Sequence, residues 1–300
     1  IPILVPQALV DPRQVAQAVV DASEGAGKPV LTCIMGDMSV AEPRLILHSN
    51  RMPMYTLPEA MGGVLKAMKS YADWLNKPMI KRSPLSGYNK EAAERILRMP
   101  QTGNVLGEAQ TRPLLEAYGI PLVKGGVART PQEAAELAKG IGFPVAMKII
   151  SPQLLHKSEA GGIVLNLKTA DEVITAYEQL FSSIREKMPQ AELQGVLIEQ
   201  MAPRGQEVIV GLRRDPGFGP VVMFGLGGIY VELFKDVSFR VAPVSQEEAL
   251  EMIYETRAGK LLTGFRGAQP ADLDAVVDCI RRLGQLGLDF PEIEEAEINP

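Results

Sequence analysis

The sequence contains few of the residues that most often bind metals or form disulfides, with 2 cysteines and 2 histidines among 300 residues. Cys33 and Cys279 lie far apart along the chain, which excludes the close spacing of a zinc site or a CxxC redox motif. Cys33 lies in the apolar run VLTCIMG and is expected to be a buried thiol. Such sparse, unpaired cysteines are typical of a reducing compartment.

The sequence also lacks a long hydrophobic run and a basic stripe. The most apolar stretch, VVMFGLGGIYVELF at 221–234, is too short to cross a bilayer and is interrupted by glycines and Glu232. No basic and apolar signal occurs at the amino terminus. The net charge is −5, and basic residues are scattered among acidic ones. We therefore expect a cytoplasmic protein that has neither a membrane nor a nucleic acid as its partner.

The composition is that of a globular protein, with 46% hydrophobic and 22% charged residues, and the length favours two domains. Residues 1–76 alternate short apolar strands with helical patterns, which predicts βαβ units around a small parallel sheet. Residues 77–106 are polar and contain proline and glycine, which predicts a linker with one short helix around 90–98. Residues 107–300 contain a run of strands with helices around them, which predicts an α+β domain.

A lysine and a glycine-containing segment are the first candidates for binding an anion. Lys148 ends the apolar pattern FPVAMKI, where it fits either an edge-strand lysine whose head reaches water or a cation that binds a ligand. The segment SPQLLHKSEAGGI follows and contains Lys157, Gly161 and Gly162. Glycines let backbone N–H groups approach a phosphate, and a lysine adds positive charge. A glycine pair before a strand also fits a hairpin turn.

A second glycine cluster, FGLGGIYVEL at 224–233, does not match a dinucleotide-binding fingerprint. The third glycine of that fingerprint would fall at Tyr230, and the segment that follows has the pattern of a strand rather than of a helix. A tight turn between strands is the alternative interpretation.

Acidic and amide side chains form the next group of candidates. Glu199 lies near the end of the strand pattern LIEQM, and Glu207 begins the next strand. Glu297 and Asn299 alternate along AEIN, so both point to one face of a strand. A carboxylate and an amide oxygen side by side suit Mg²⁺, which takes hard oxygen ligands and shares them with nucleotide phosphates. The same pair also fits the exposed face of an edge strand.

Together and in this order, these segments resemble the ATP-grasp fold, in the version found in NDP-forming acyl-CoA synthetases, the relatives of succinyl-CoA synthetase. The resemblance covers about residues 105–300 and rests on EAQTRPLLEAYGIPLVKGGVARTPQEAAELAKGIGFPVAMKI, SPQLLHKSEAGGI, VLIEQM, EVIVGLRRDPGFGPVVMFGLGGIYVEL, DVSFRVAP and DFPEIEEAEINP. Residues 1–76 resemble the later part of the flavodoxin-like ligase domain that precedes the ATP-grasp domain in single-chain versions, through VPQALVDP and GKPVL. The implied fold is α/β and α+β: a partial flavodoxin-like ligase domain, then an ATP-grasp domain.

The resemblance implies a phosphate site for one group of these residues. Lys148 matches the ATP-grasp lysine that contacts a nucleotide phosphate. Lys157, Gly161 and Gly162 match the loop that covers the phosphates.

The resemblance also implies how the rest of the nucleotide and its metal are held. Glu199 and Met201 match the segment that hydrogen-bonds adenine, partly through its backbone, and Glu207 matches the acidic residue near the ribose. Asn299 and Glu297 match the Mg²⁺ site. A second metal carboxylate is expected downstream of the segment EINP.

His156, in the loop HKS, matches a phosphoryl carrier of the ADP-forming synthetases. In those proteins a histidine of an upstream domain takes phosphate from an acyl phosphate, and the loop histidine passes it to the nucleotide. Neutral imidazole is a competent nucleophile near neutral pH, and Lys157 with a bound Mg²⁺ would offset the phosphoryl charge. The upstream carrier has no counterpart in this sequence, and His48, in RLILHSN, is expected to be structural.

The leading hypothesis is the nucleotide-binding part of an NDP-forming acyl-CoA synthetase, which catalyses acyl-CoA + ADP + phosphate ⇌ carboxylate + CoA + ATP. The chain begins at Ile1 inside an apparent strand and stops at Pro300 after AEIN, so we expect the natural protein to continue in both directions. Coenzyme A and the acyl group are then expected in the missing upstream part, and residues 1–300 are expected to bind ADP or ATP, to self-associate and to lack complete ligase activity. Two alternatives stay open: a synthetase-like regulatory region of a protein acetyltransferase, and another ATP-grasp carboxylate–amine ligase.

Overall fold

The computed structural model describes residues 1–7, 9–36, 40–77, 84–100, 105–154, 160–203, 205–228 and 236–299. The chain divides into two compact units, Ile1–Met79 and Ile80–Pro300. None of the helices within the described ranges is long and apolar enough to span a membrane.

The first unit is built on a three-stranded parallel sheet, sheet 1, with the strand order β1-β2-β3. The carboxylate of Asp11 accepts a hydrogen bond from the N–H of Arg13, and Pro12 occupies the first turn, so these two residues define the start of the first helix. The predicted βαβ arrangement is confirmed. The elements in chain order are β1 (Ile3–Leu4), α1 (Pro12–Ser23), β2 (Thr32–Ile34), α2 (Ala41–Ser49), β3 (Met54–Tyr55) and α3 (Pro58–Leu75).

Both faces of β2 are buried, as expected for the central strand of a parallel sheet. Ile34 packs with Ala16 of α1 and Leu47 of α2 on one face. Cys33 packs with Met61 of α3 on the other face and is fully buried, which confirms the expected buried thiol. Burial raises the pKa of the Cys33 thiol, so this cysteine is a packing residue rather than a reactive one.

The second unit contains two four-stranded antiparallel sheets, sheet 2 with the order β4-β7-β5-β6 and sheet 3 with the order β10-β9-β8-β11. The predicted run of strands with helices around them is confirmed. The elements in chain order are α4 (Lys90–Leu97), α5 (Glu108–Ala117), β4 (Gly125–Ala128), α6 (Pro131–Ile141), β5 (Val145–Ile150), β6 (Ile163–Leu167), α7 (Ala170–Lys187), β7 (Gly195–Gln200), β8 (Val208–Asp215), β9 (Gly219–Leu226), β10 (Val237–Val241), α8 (Gln246–Glu255), α9 (Arg257–Leu262), α10 (Leu273–Asp289) and β11 (Glu295–Ile298).

The helix predicted around 90–98 is present as α4, but it is packed into the second unit rather than lying in a free connection. Ala93 and Ile96 are buried with Leu114 of α5 and belong to the core that covers sheet 3. The predicted linker therefore includes a helix that contributes to the second core.

Sheet 2 buries one face against α6 and α7. Thr130 and Thr169 directly precede these two helices, and the hydroxyl of each caps the first turn. Side chains alternate along β5, so Met147 and Ile149 enter this core and Lys148 points to the opposite face. The alternation of β5 thus places a lysine on the face of sheet 2 that the helices leave open.

Candidate functional site

Lys148 and Glu199 lie on the same face of neighbouring strands of sheet 2. The register pairs Ala146 of β5 with Glu199 of β7, so Lys148 is two residues along β5 from the point opposite Glu199. The Nζ of Lys148 lies 2.9 Å from the Oε2 of Glu199. Because β5 lies between β7 and β6, the interpretation of Lys148 as an edge-strand lysine is wrong. The Lys148 side chain is 29% exposed and the Glu199 side chain is 11% exposed. A largely buried carboxylate is therefore paired with a cation that solvent can reach.

A second cation, Arg112 of α5, binds the other oxygen of the same carboxylate. Its Nη1 lies 2.5 Å from the Oε1 of Glu199, and its Nη2 donates a 2.5 Å hydrogen bond to the carbonyl of Val123. The Arg112 side chain is 14% exposed. Sequence reasoning did not single out Arg112, because its partner lies 87 residues away and an arginine on an amphipathic helix has no distinctive pattern. The three side chains Arg112, Glu199 and Lys148, which we call the charge cluster, carry one net positive charge.

Gly125 makes room for the charge cluster. It lies directly opposite Glu199 in the pairing of β4 with β7. A Cβ atom on Gly125 would lie 2.8 Å from the carbonyl oxygen of Ile198, 3.0 Å from the Cγ of Glu199 and 3.2 Å from the Nη2 of Arg112. The close approach of the three groups therefore requires glycine at this position.

The glycine pair that follows the HKS segment enters the sheet beside Lys148. Gly161 has a left-handed backbone with φ +73°, and the carbonyl of Gly162 accepts a 2.8 Å hydrogen bond from the N–H of Ile149. Ile163, the first residue of β6, pairs with Lys148. The structure therefore brings Gly161 and Gly162 next to Lys148.

The described residues at the two ends of the connection between β5 and β6 both contact the rest of the second unit. Leu154 is buried in the core of sheet 2, and the carbonyl of Ala160 accepts a 3.5 Å hydrogen bond from the Nζ of Lys187 at the end of α7. His156 and Lys157, the predicted phosphoryl carrier and its neighbour, lie outside the described residues.

Met201 directly follows β7 and is half-buried. Its N–H donates a 3.1 Å hydrogen bond to the carbonyl of Pro144, and the preceding N–H, of Gln200, donates to the carbonyl of Lys124. With its N–H engaged, the backbone group that Met201 offers to a ligand is its carbonyl.

Glu207 directly precedes β8 and is in contact with the second glycine cluster. The N–H of Gly227 donates a 2.9 Å hydrogen bond to the carbonyl of Glu207. A Cβ atom on Gly228, which has φ +65°, would lie 2.8 Å from the Oε2 of Glu207. The described part of the cluster thus packs against an exposed carboxylate at one end of sheet 3.

Glu297 and Asn299 lie on one exposed face at the end of β11, as the alternation predicts. The Nδ2 of Asn299 donates a hydrogen bond to the Oε1 of Glu297, so the two side chains are in contact. Their carboxylate and amide oxygens are ligands of the kind Mg²⁺ takes, and exposure leaves room for water and phosphate ligands, so the pair fits this ion. β11 is an edge strand of sheet 3, and the described residues contain no cluster of three or more metal-binding side chains.

Comparison with known proteins assigns the family. The ATP-grasp domain family matches residues 98–300. The ADP-forming acetate–CoA ligase I of Archaeoglobus fulgidus is 40% identical over 300 residues, which cover 99% of this chain and 43% of that protein. The β subunit of the ADP-forming acetate–CoA ligase I of Pyrococcus furiosus is 48% identical over 210 residues, which cover 70% of this chain and 90% of the subunit. The chain therefore spans less than half of the first of these relatives and most of the length of the second.

Solved structures agree with this assignment. Acetyl-coenzyme A synthetase 1 of Ca. Korarchaeum cryptofilum, in complex with coenzyme A, Ca-AMPCP and HgCl⁺, has 48% identity and a TM-score of 0.63 over 65% of this chain and 85% of that one. The same protein with coenzyme A and Mg-AMPPCP, its phosphohistidine segment pointing towards the nucleotide binding site, has 45% identity and a TM-score of 0.57 over 65% and 84%. The chain belongs to the ATP-grasp family and, within it, to the group of the ADP-forming acyl–CoA ligases.

Proposed function

We propose that this chain is the nucleotide-binding part of an ADP-forming acyl–CoA synthetase and that it binds the phosphates of ADP or ATP at the charge cluster. The observation that carries the proposal is the shared carboxylate of Glu199, which leaves one net positive charge among Arg112, Glu199 and Lys148. Lys148 is the most exposed of the three and adjoins the glycine pair that enters β6. A phosphate is the anion that suits a lysine beside the backbone of a glycine pair.

The rest of the nucleotide would extend along the segment after β7. Glu199, an acceptor when ionised, suits the exocyclic amine of adenine, and the carbonyl of Met201 supplies a second acceptor beside it. Glu207 is exposed and able to accept hydrogen bonds from ribose hydroxyls.

Glu297 and Asn299 would hold Mg²⁺, which supplies positive charge to the nucleotide phosphates when it is bound. The two side chains, which are in contact on the same face of β11, would offer the ion one carboxylate oxygen and one amide oxygen. This pair leaves most of the coordination of the ion to water and phosphate.

His156 would carry the phosphoryl group between an acyl phosphate formed elsewhere in the synthetase and ADP. The N–P bond of the phosphohistidine, whose other ring nitrogen is protonated, breaks as an oxygen of the ADP β-phosphate forms the new P–O bond. That proton stays on the ring, which gives ATP and neutral imidazole. The acyl and coenzyme A sites would lie outside residues 1–300, in a further domain or a partner subunit. We place the protein in the cytoplasm, since both cysteines of residues 1–300 are free thiols, and we expect the synthetase to self-associate.

Phosphoryl transfer from ATP to the protein tests this function. We expect ATP labelled at its γ-phosphate, with Mg²⁺, to give an acid-labile, base-stable label in the wild type and none in His156→Ala. His48→Ala is the matched control, because His48 and His156 are the 2 histidines of the sequence, and it should label like the wild type. Equal labelling of the wild type and His156→Ala would overturn the carrier role.

A further inference from the structure

We propose that Arg112 is a positioning residue for the nucleotide phosphates: it keeps the positive charge of Lys148 available to a phosphate by binding the other oxygen of Glu199. This inference rests on the proposed function, because it needs Lys148 to be the phosphate ligand.

The argument starts from the sharing of one carboxylate by two cations. Arg112 lies at the Oε1 of Glu199 and Lys148 at the Oε2. Without Arg112, Lys148 and Glu199 would form a neutral one-to-one pair. A phosphate that recruited Lys148 from that pair would leave a largely buried carboxylate without a cation, which is strongly unfavourable. With Arg112 in place, Glu199 stays neutralised when Lys148 turns to the phosphate.

The surroundings of Arg112 fix its guanidinium in this role. One end donates to Glu199 and the other to the carbonyl of Val123. The close approach at Gly125 confines the same guanidinium, since even a Cβ atom there would lie 3.2 Å from its Nη2. Arg112 is therefore a stationary counter-charge, whereas the Lys148 side chain is twice as exposed, at 29% against 14%, and is able to reach a ligand.

The affinities of adenosine and ADP separate this role from a structural one. The dissociation constant of adenosine divided by that of ADP, both measured by calorimetry, isolates the part of binding that depends on phosphate. A higher ratio means that the phosphates contribute more to binding. We expect Arg112→Gln to lower this ratio by about tenfold or more, because Lys148 becomes neutralised by Glu199, while adenosine binding changes by about twofold or less. Arg112→Lys retains the charge but loses the two-ended contact of the guanidinium, so its ratio should lie between those of Arg112→Gln and the wild type.

A double variant supplies the decisive comparison. In Arg112→Gln with Glu199→Gln, no carboxylate is left to neutralise Lys148, so the ratio should recover towards the wild-type value. A structural role for Arg112 gives no such recovery, since both partners of its contact are then lost. Absence of recovery, or an unchanged ratio in Arg112→Gln, would overturn the inference.

Two further measurements keep the outcome clear. Lys148→Met tests the proposed function itself: an unchanged ratio there would refute the phosphate site, whereas a lowered ratio with no effect of Arg112→Gln would refute only the role of Arg112. If Arg112→Gln does not fold, Glu199→Gln in the wild-type background is informative. It should raise the ratio, because the cluster gains positive charge, and a lowered ratio would contradict the inference.

Discussion

Lys90 and Asp289 form an ion pair of 2.9 Å that joins α4, in the predicted linker, to the end of α10. The hydroxyl of Tyr118 donates a 2.7 Å hydrogen bond to the same carboxylate. Burial alone would raise the pKa of Asp289, but the hydrogen bonds from Lys90, Tyr118 and Gln285 outweigh it and hold that pKa below its usual value. The carboxylate of Asp289, in α10, therefore connects α4 with Tyr118, the residue directly after α5, and its ionised form stabilises the fold.

We expect Asp289→Asn to lower the free energy of unfolding by about 1–3 kcal/mol, since a carboxylate that is 13% exposed loses charge-assisted hydrogen bonds. Urea titration at neutral pH measures this loss. Glu136→Gln, which removes an acid from the exposed pair with Lys139, is the matched control and should cost about 0.5 kcal/mol or less. Equal losses in the two variants would contradict the network.

The same carboxylate predicts a pH dependence of stability. Its pKa is lowered on folding, so its contribution is fully present above the unfolded value of about 3.9 and is lost as the pH falls through the lower folded value. The stability difference between the wild type and Asp289→Asn should therefore be constant near neutral pH and shrink below about pH 4. A difference that grows on acidification would have the wrong sign.

Gly125→Ala should destabilise the second unit by about 1–3 kcal/mol, because the new Cβ atom forces apart β4, β7 and the Arg112 side chain. It should also weaken ADP binding, since Glu199 and Arg112 are displaced. Gly140→Ala is the control: it lies in α6 with open space where the new methyl group would lie, and it should stabilise by about 0.5–1 kcal/mol. Thermal unfolding and calorimetry check both effects, and a neutral Gly125→Ala would refute the packing argument.

Glu297→Gln should raise the Mg²⁺ concentration needed for half-maximal phosphoryl labelling by about tenfold, because the ion loses a carboxylate ligand. Glu295→Gln removes the neighbouring acid from the same face of β11 and serves as the control, with little change expected. If the two variants behave alike, the metal site does not depend on Glu297.

The Cys279 thiol should react slowly. Burial, with Asp278 nearby, raises its pKa to about 11. At about pH 8 its thiolate fraction, and with it the rate of disulfide exchange with an aromatic disulfide reagent, should be lower than that of free cysteine on the order of a hundredfold. Cys33→Ala isolates the Cys279 rate, and a rate near that of free cysteine would contradict the raised pKa.

Local features of the fold could be predicted from the sequence because their causes are local. Helix α7 at Ala170–Lys187 is one of these features, since Thr169 caps its first turn and apolar residues recur along one face. Helix α9 lacks such a signal. After Gln246–Glu255, Thr256 takes an extended conformation and its hydroxyl caps a new short helix, which the periodic pattern does not reveal.

Long-range pairings could not be derived in the same way. The order β4-β7-β5-β6 places β7 between two strands that precede it, and no periodicity of the sequence specifies this insertion. The sequence identified Lys148 and Glu199 separately, and the resemblance to a family related them to one ligand. Their contact, and the part that Arg112 plays in it, depend on this strand order.

The central place of β7 in sheet 2 has a consequence for hydrogen exchange. Its backbone is paired with β4 on one side and with β5 on the other, so its amides exchange with solvent when the sheet opens rather than when an edge frays. Glu199 is thus carried by a segment expected to be among the slowest to exchange. The carboxylate that organises both cations is already ordered before any ligand arrives, and binding loses little conformational entropy at this position.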